Sequence, residues 1–575
     1  MRGVMMMVPW WLAACDPTTV TVGRVVVVQS IQDDAHSVPL IARRATTIRA
    51  EVLGVDGAAP PAGLSATAHV WVDGVEVTPA SGVAAVNQPF SGPLTPDQAN
   101  EGDWLYFELT APTAITASAD VDVEVRVSTG GEMAVGRADD LTFGAPLDHR
   151  VFYTRINYLP AGLGVPTPAQ VAPGFADAFY RGIYPVDESD PAIYQEGLFP
   201  TLTFNEDDNG DGILDGCAAA GDDAEQLLAL LDACRQLIVD NGLGADDKTH
   251  LYGWLAGNPI NGNGCGNTPG KVAYGNTQDI RFQRTFAHEV GHNYGLNHNN
   301  NATGMIGWDT TARLVGNPAG NNVAGRVKGS TLWDIMVGGQ LTSSAWVAPA
   351  SFGTFDAATG ADADSVEGSI VLRGVFGEGP SDLTLLPAFR YAWRAPAPKR
   401  EQVGRYTIVV TDVSGAEQRA TTDAVTSDDG DPGLEDVGMF SVTVPLDPQV
   451  AVARVEVLLD GQPIAERRAS EPPYVDVFEP AAGSTLDGPF EVAWEAQDDS
   501  SQKDWEFQVA WSWDDGASWS PIAVGLSGDV RSIRVDPREL KASGKEGGGQ
   551  VRVMMSDGLL SASDEVVELS SPNGR

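Results

Sequence analysis

The sequence predicts a multidomain protein in which one α/β domain is flanked by all-β domains of the immunoglobulin-like sandwich type. Three observations predict it. At 575 residues the chain is too long for a single hydrophobic core. Short Val- and Thr-rich runs, separated by Gly, Pro and Asp, fill both ends of the chain. Only residues 148–358 alternate helical with strand periodicity.

Residues 1–15 read as an export signal. Arg2 supplies the positive start, Val4 to Ala14 is apolar, and Leu12-Ala13-Ala14-Cys15 resembles a bacterial lipobox, whose cysteine carries lipid. The apolar stretch is too short to span a bilayer as a helix, so a lipid on Cys15 is the expected membrane attachment. The expected location is the cell envelope as a lipoprotein, or the exterior after secretion. Residues 16–147 form an N-terminal β-sandwich, with Val20 to Gln29, Thr47 to Leu53, Ala68 to Val77 and Val121 to Val127 as strands.

Residues 148–358 form the α/β domain. Asp222 to Asn241 has leucines at helical spacing, acidic residues at its start and Asn241-Gly242 at its end, which is a capped amphipathic helix. Leu251 to Leu255 follows as a strand, and Gly257 to Asn276 reads as a Gly- and Asn-rich loop. A second helix is expected over Gln278 to Tyr294, with Thr277 as its N-cap and Gly295 as its stop. A linker signature opens after Phe355. Residues 359–470 return to β pattern, and residues 473–570 form a C-terminal immunoglobulin-like β domain. Trp494, Trp505, Trp511, Trp513 and Trp519 in that last domain are read as core residues. The competing reading is a face that stacks on carbohydrate.

With 78 acidic against 36 basic residues, the net charge is −42. Such a surface repels nucleic acid and anionic headgroups, so neither is an expected partner through charge. Of four cysteines, Cys217, Cys234 and Cys265 lie in the α/β domain. They permit one disulfide, with Cys217 or Cys234 joined to Cys265.

Residues 288–298, HEVGHNYGLNH, carry the chemistry. His288 and His292 are four apart, so on a helix both imidazoles leave the same face and can reach one metal ion. Glu289 can act on a water at that metal without being a ligand. Gly295 can take the left-handed conformation, ending the helix and turning the chain so that His298 approaches as a third ligand. Three neutral nitrogens leave a fourth position open, the arrangement of a catalytic rather than a structural Zn²⁺ site. Three of the chain's seven histidines fall within these eleven residues, which makes the string far more specific than a bare pair of histidines.

This extended motif resembles that of the metzincin zinc endopeptidases. The resemblance implies a Met-turn beneath the metal, and Asp334-Ile335-Met336 lies at a suitable distance after His298, with Met336 as an apolar floor. Together with Trp333 to Gly339 and Gly307-Trp308-Asp309, the motif looks most like secreted bacterial metalloproteases that cleave mucin-type glycoproteins. The gametolysin-like group is next. The resemblance covers about residues 277–345. Astacin- and serralysin-like members carry Tyr two residues after the Met, where this chain has Gly338, so an oxyanion-stabilising tyrosine at that position is missing.

A second metal site is weighed at Asp207, Asn209, Asp211, Gly212 and Asp215, which reproduce the start of a Ca²⁺ loop. The twelfth position is Ala218 rather than a bidentate Glu, so a partial Ca²⁺ loop and a plain acidic turn both stay open. Two function classes follow. One is an exported zinc-dependent endopeptidase acting on protein or glycoprotein substrates. The other is a surface-anchored adhesin or glycan-binding lipoprotein with a secondary metal domain.

Overall fold

The computed structural model describes residues 19–570, apart from 89, 91, 111, 131, 208–209, 215–221, 241, 246–247, 261, 269, 278–280, 311–313, 315–325, 358–364, 377–378, 380, 397–404, 423–424, 428–437, 448–449, 470, 498–504, 513–515, 517–518 and 537–548. Cys15 and the lipobox lie outside the described residues, as do Asn209, Asp215 and Cys217. Among the described residues, no helix is long and apolar enough to cross a membrane. The chain divides into two compact units, one built from residues 1–145 with 306–311 and 325–329, the other from the rest.

The first unit is all β. Its three-stranded sheet consists of Val20–Val28, Thr46–Gly54 and Leu105–Leu109, and its six-stranded sheet is centred on Ser65–Val72, Asp120–Thr129 and Glu132–Gly144. In Asp120–Thr129 the valines at 121, 123, 125 and 127 are buried, as the two-residue period of a strand requires. Val25, Ile48 and Phe107 from one sheet join Val70, Val123 and Phe143 from the other in a single apolar cluster. The chain returns to this unit with a short hairpin, Gly307–Trp308 paired with Val327–Lys328. Trp308 is buried there, with the Arg49 guanidinium 4.7 Å from its ring and Tyr106 edge-on at 5.3 Å.

The second unit opens with strands Tyr194–Phe204, Arg150–Tyr158, Thr249–Leu255 and Val272–Asn276, adjacent in that order and all parallel. Gly264–Thr268 adds antiparallel to the last of them. Helices α1 (Ala178–Ile183), α2 (Asp222–Asp240), α3 (Phe282–Asn293) and α4 (Pro349–Ala357) accompany this sheet. Leu227, Leu228, Leu230, Leu231 and Ile238 of α2 are buried in one cluster with Ile156, Leu202 and Leu251 of the strands, so α2 lies where its leucine spacing places it.

The stretch read as a loop over Gly257 to Asn276 instead holds two strands. Gly264 and Gly266 are required there for steric reasons. A Cβ on Gly266 would lie 2.5 Å from the Glu289 carbonyl oxygen, and one on Gly264 would lie 2.9 Å from Glu289 Oε1. The strand passes so close over α3 that side chains have no room. The start of α3 also differs from expectation. Described helix begins at Phe282, and residues 278–280, which Thr277 is expected to cap, lie outside the described residues. The Thr277 hydroxyl donates to the Leu255 carbonyl at 3.1 Å and accepts from the Gly257 amide at 3.2 Å.

Further β-sheets follow. Ser365–Phe376, Leu383–Leu385, Phe389–Pro396, Val425–Ser427 and Gly438–Pro445 extend the sheet of Thr249–Leu255 to ten strands. Tyr406–Asp412, Glu417–Thr422, Val452–Leu459 and Gln462–Arg468 form a four-stranded sheet, and two sheets of three and four strands make up Tyr474 to Leu569. Trp494 and Trp511 are fully buried between those last two sheets, as core residues. Trp519 is part-buried, with the Arg552 guanidinium 3.8 Å from its ring centre, and Trp513 lies outside the described residues. The architecture is therefore multidomain and largely β, around a smaller mixed α/β region.

Candidate metal centre

Helix α3 presents His288 and His292 from one face, one turn apart. Its end is closed by paired backbone bonds: Gly295 N–H donates to the His292 carbonyl at 2.7 Å, and Leu296 N–H reaches the Gly291 carbonyl at 3.3 Å. Both bonds require residue 295 in the left-handed region, and Gly295 has φ 80°. This turn swings the chain back and brings His298 beneath the helix.

The three imidazoles meet at their Nε2 atoms. His288 and His298 are 2.8 Å apart there, His288 and His292 3.2 Å, and His292 and His298 3.3 Å. Their outer nitrogens explain the orientation. His288 Nδ1 is 2.8 Å from the Ile335 carbonyl and His292 Nδ1 is 2.7 Å from the Leu296 carbonyl. A carbonyl only accepts, so each Nδ1 carries the proton and each Nε2 points an unprotonated lone pair inward. Burial, with the Arg284 cation and the neighbouring histidines, holds His288 well below its ordinary pKa. Burial and His298 lower His292 to about 3. Converging lone pairs repel, and burial opposes relieving them with a proton. A metal cation resolves the conflict, and nitrogens held ~2.0–2.1 Å from one tetrahedral ion lie about 3.3 Å apart. The residues fit such an ion. Among the described residues, these three histidines form a group able to hold a metal, as do the more exposed Asp120, Asp122 and Asp140.

Glu289, adjacent to His288, is 6% exposed. Met336 is fully buried, and its Sδ would lie 2.7 Å from a Cβ on Gly291. Gly291, unremarked in the sequence, is therefore what lets Met336 approach the helix between the two histidines. Asp334 is also fully buried. Its carboxylate accepts from the Asn299 side chain at 2.7 Å, from Ser351 Oγ at 2.8 Å and from the Ala348 amide at 2.8 Å. Asn299 directly follows His298, and its own amide donates to the Met336 carbonyl at 3.2 Å. So Asp334 ties the loop of the third histidine to the turn containing Met336. Asn293 anchors the far end of α3, donating to the Asn267 and Val272 carbonyls. Helical spacing from His288 could have drawn attention to Arg284. Nothing in the sequence pattern marks Gly291, and Asp334 enters there only as part of the Met-turn string, with no role of its own.

The acidic stretch after Phe204 is only partly described. Asp207 accepts from the Gly210 and Gly212 amides, each at 3.0 Å, and Asp211 accepts from the Ile213 amide at 2.8 Å. These are the bonds of an Asx-stabilised turn. Cys265 is in a disulfide, and Cys234 is free and buried, which removes Cys234 as its partner.

The Peptidase M66 family model matches residues 229–308, a stretch running from α2 through the three histidines to Trp308. No curated protein matches the chain. Solved structures to which it is similar include a Parabacteroides merdae β-glucuronidase with glycerol in its active site (9% identity, 95% of this chain and 77% of that chain, TM-score 0.14). They also include a glycosyl hydrolase family 2 member from Bacteroides cellulosilyticus (8%, 94% and 78%, 0.14) and red sea bream transglutaminase (11%, 92% and 96%, 0.14). At these TM-scores the likenesses carry no argument. A histidine cluster inside a peptidase-family match supports a metal-dependent hydrolytic activity.

Proposed function

We propose that the chain is a zinc-dependent endopeptidase of metzincin type, acting outside the cytoplasm on proteins or glycoproteins. The observation that carries the proposal is the convergence of three imidazole Nε2 atoms, those of His288 and His292 unprotonated, beside a buried glutamate, inside the peptidase-family match. His288, His292 and His298 would hold Zn²⁺, and a bound zinc ion supplies Lewis acidity to a water and to a substrate carbonyl.

The chain's own residues do the rest. The Ile335 and Leu296 carbonyls hold two of the imidazoles in the ligating tautomer. Glu289 takes the proton of the attacking water and returns it to the leaving amine, which splits the peptide bond with the proton balance closed. Met336 keeps the underside of the centre apolar and dry. The flanking β domains, of sandwich type, act as spacers or substrate-docking modules, and a lipid on Cys15 would tether the enzyme to the envelope. Ca²⁺ at Asp207 and Asp211, with Asn209 and Asp215, is a weaker proposal, since backbone amides already occupy the Asp207 oxygens.

The test is cleavage of casein and of a mucin by purified protein. The reading expects cleavage that a chelator abolishes and stoichiometric zinc restores. Binding to mucin with neither substrate cut would favour the adhesin reading instead.

A further inference from the structure

We propose that Arg284 is a positioning residue of the metal centre, holding the Met-turn carbonyl that sets the tautomer of His288. The inference rests on the zinc reading above. Arg284 stands one helical turn before His288 on α3 and is 3% exposed, a buried cation. Its Nη2 donates to the Ile335 carbonyl at 2.7 Å and to the Val337 carbonyl, and lies 3.2 Å from His288 Nδ1.

Two groups thus compete for His288 Nδ1, and they demand opposite protonation. The Ile335 carbonyl, at 2.8 Å, needs a proton on Nδ1, whereas a guanidinium hydrogen bond needs a lone pair there. Only the first state leaves the Nε2 lone pair free for a metal. Because Arg284 spends its donors on the two carbonyls flanking Met336, it does not claim Nδ1. It also pins Ile335 O where the imidazole proton finds it. Ile335 and Val337 are buried, so without this donor both carbonyls lose a partner and the turn is free to shift.

An apolar side chain of similar length removes the guanidinium and keeps the volume. In Arg284→Met, zinc affinity measured by chelator competition is expected to fall at least tenfold, with a weaker visible spectrum of the Co²⁺-loaded protein as the tetrahedral geometry loosens. Arg284→Lys, which still donates to a carbonyl, should lose clearly less than the roughly 10- to 100-fold that removing an outer-shell partner costs. Should Arg284→Met fail to unfold cooperatively, Arg284→Leu, which also lacks a donor, is held to the same tenfold criterion.

Unchanged zinc affinity and Co²⁺ spectrum in the folded neutral variant would overturn the assignment. So would equal losses in Lys and Met variants, since those would report packing alone. A native protein that binds no zinc would sink the zinc reading itself, which separates the two failures.

Discussion

At the residue scale, the centre depends on contacts too short to tolerate ordinary side chains. Gly291 leaves room for the Met336 sulfur, and a Cβ would meet it at 2.7 Å. Gly291→Ala should therefore cost about 1–3 kcal/mol in denaturant unfolding, the range for overpacking a core. Asp334 illustrates the opposite hazard. Its three bound donors would be left in a dry interior by Asp334→Ala, so a loss of about 3 kcal/mol or more is expected by the same measurement. Asp334→Ala should also weaken zinc retention through Asn299. The histidines and Glu289 were legible in the sequence because i, i+4 spacing and the following glycine are local rules. Gly291 and Asp334 matter only through partners about 45 residues or more away or in another element, and single-chain periodicity does not reach them.

At the element scale, α3 is fastened at its C-terminal end by a buried polar cluster. The His149 and His250 rings lie with centres 4.2 Å apart and tilted by 44°, and His250 Nδ1 lies 3.1 Å from Asn293 Oδ1. The Tyr294 hydroxyl bonds His149 Nδ1, and Lys271 Nζ stands 3.5 Å from His250 Nε2. Tyr180 closes the cluster, and Arg235 adds a further positive charge. Burial pushes both histidines well below the ordinary 6.5, helped by Lys271 at His149 and by His149, Lys271 and Arg235 at His250. The sign follows: both are neutral when folded but take protons when unfolded below about pH 6.5, so stability is full above that pH and falls as pH drops through it. Each histidine contributes up to about 1.4 kcal/mol per pH unit. The unfolding midpoint should fall between about pH 7 and pH 5, and His149→Phe should flatten part of that slope. Alternation and capping made α2 and the core strand at Leu251 to Leu255 legible in the sequence. The strand at 264–268 was hidden because close approach to α3 demanded glycine at 264 and 266, the residue that elsewhere signals a loop.

At the scale of the whole molecule, the segment between His298 and Met336 leaves the second unit and contributes the Trp308 hairpin to the first. Trp308 is buried there against Arg49 and Tyr106, and Arg326 pairs with Glu108. A fragment beginning at Pro146 would strip that hairpin of its core. It should yield aggregated protein or a clearly lowered unfolding midpoint, whereas an independent N-terminal domain would leave the rest unaffected. The β-rich character of both ends was legible in composition and turn residues; the return of a late hairpin to an early unit is a long-range event that no local pattern encodes. In the proposed centre, zinc and Glu289 have separate duties. The most direct measurement is zinc stoichiometry together with peptide turnover in Glu289→Ala. The expected result is one zinc per chain retained and turnover lower by at least about 100- to 1,000-fold, in line with lost acid–base catalysis. Full turnover in that variant, or no zinc in the native protein, would contradict it.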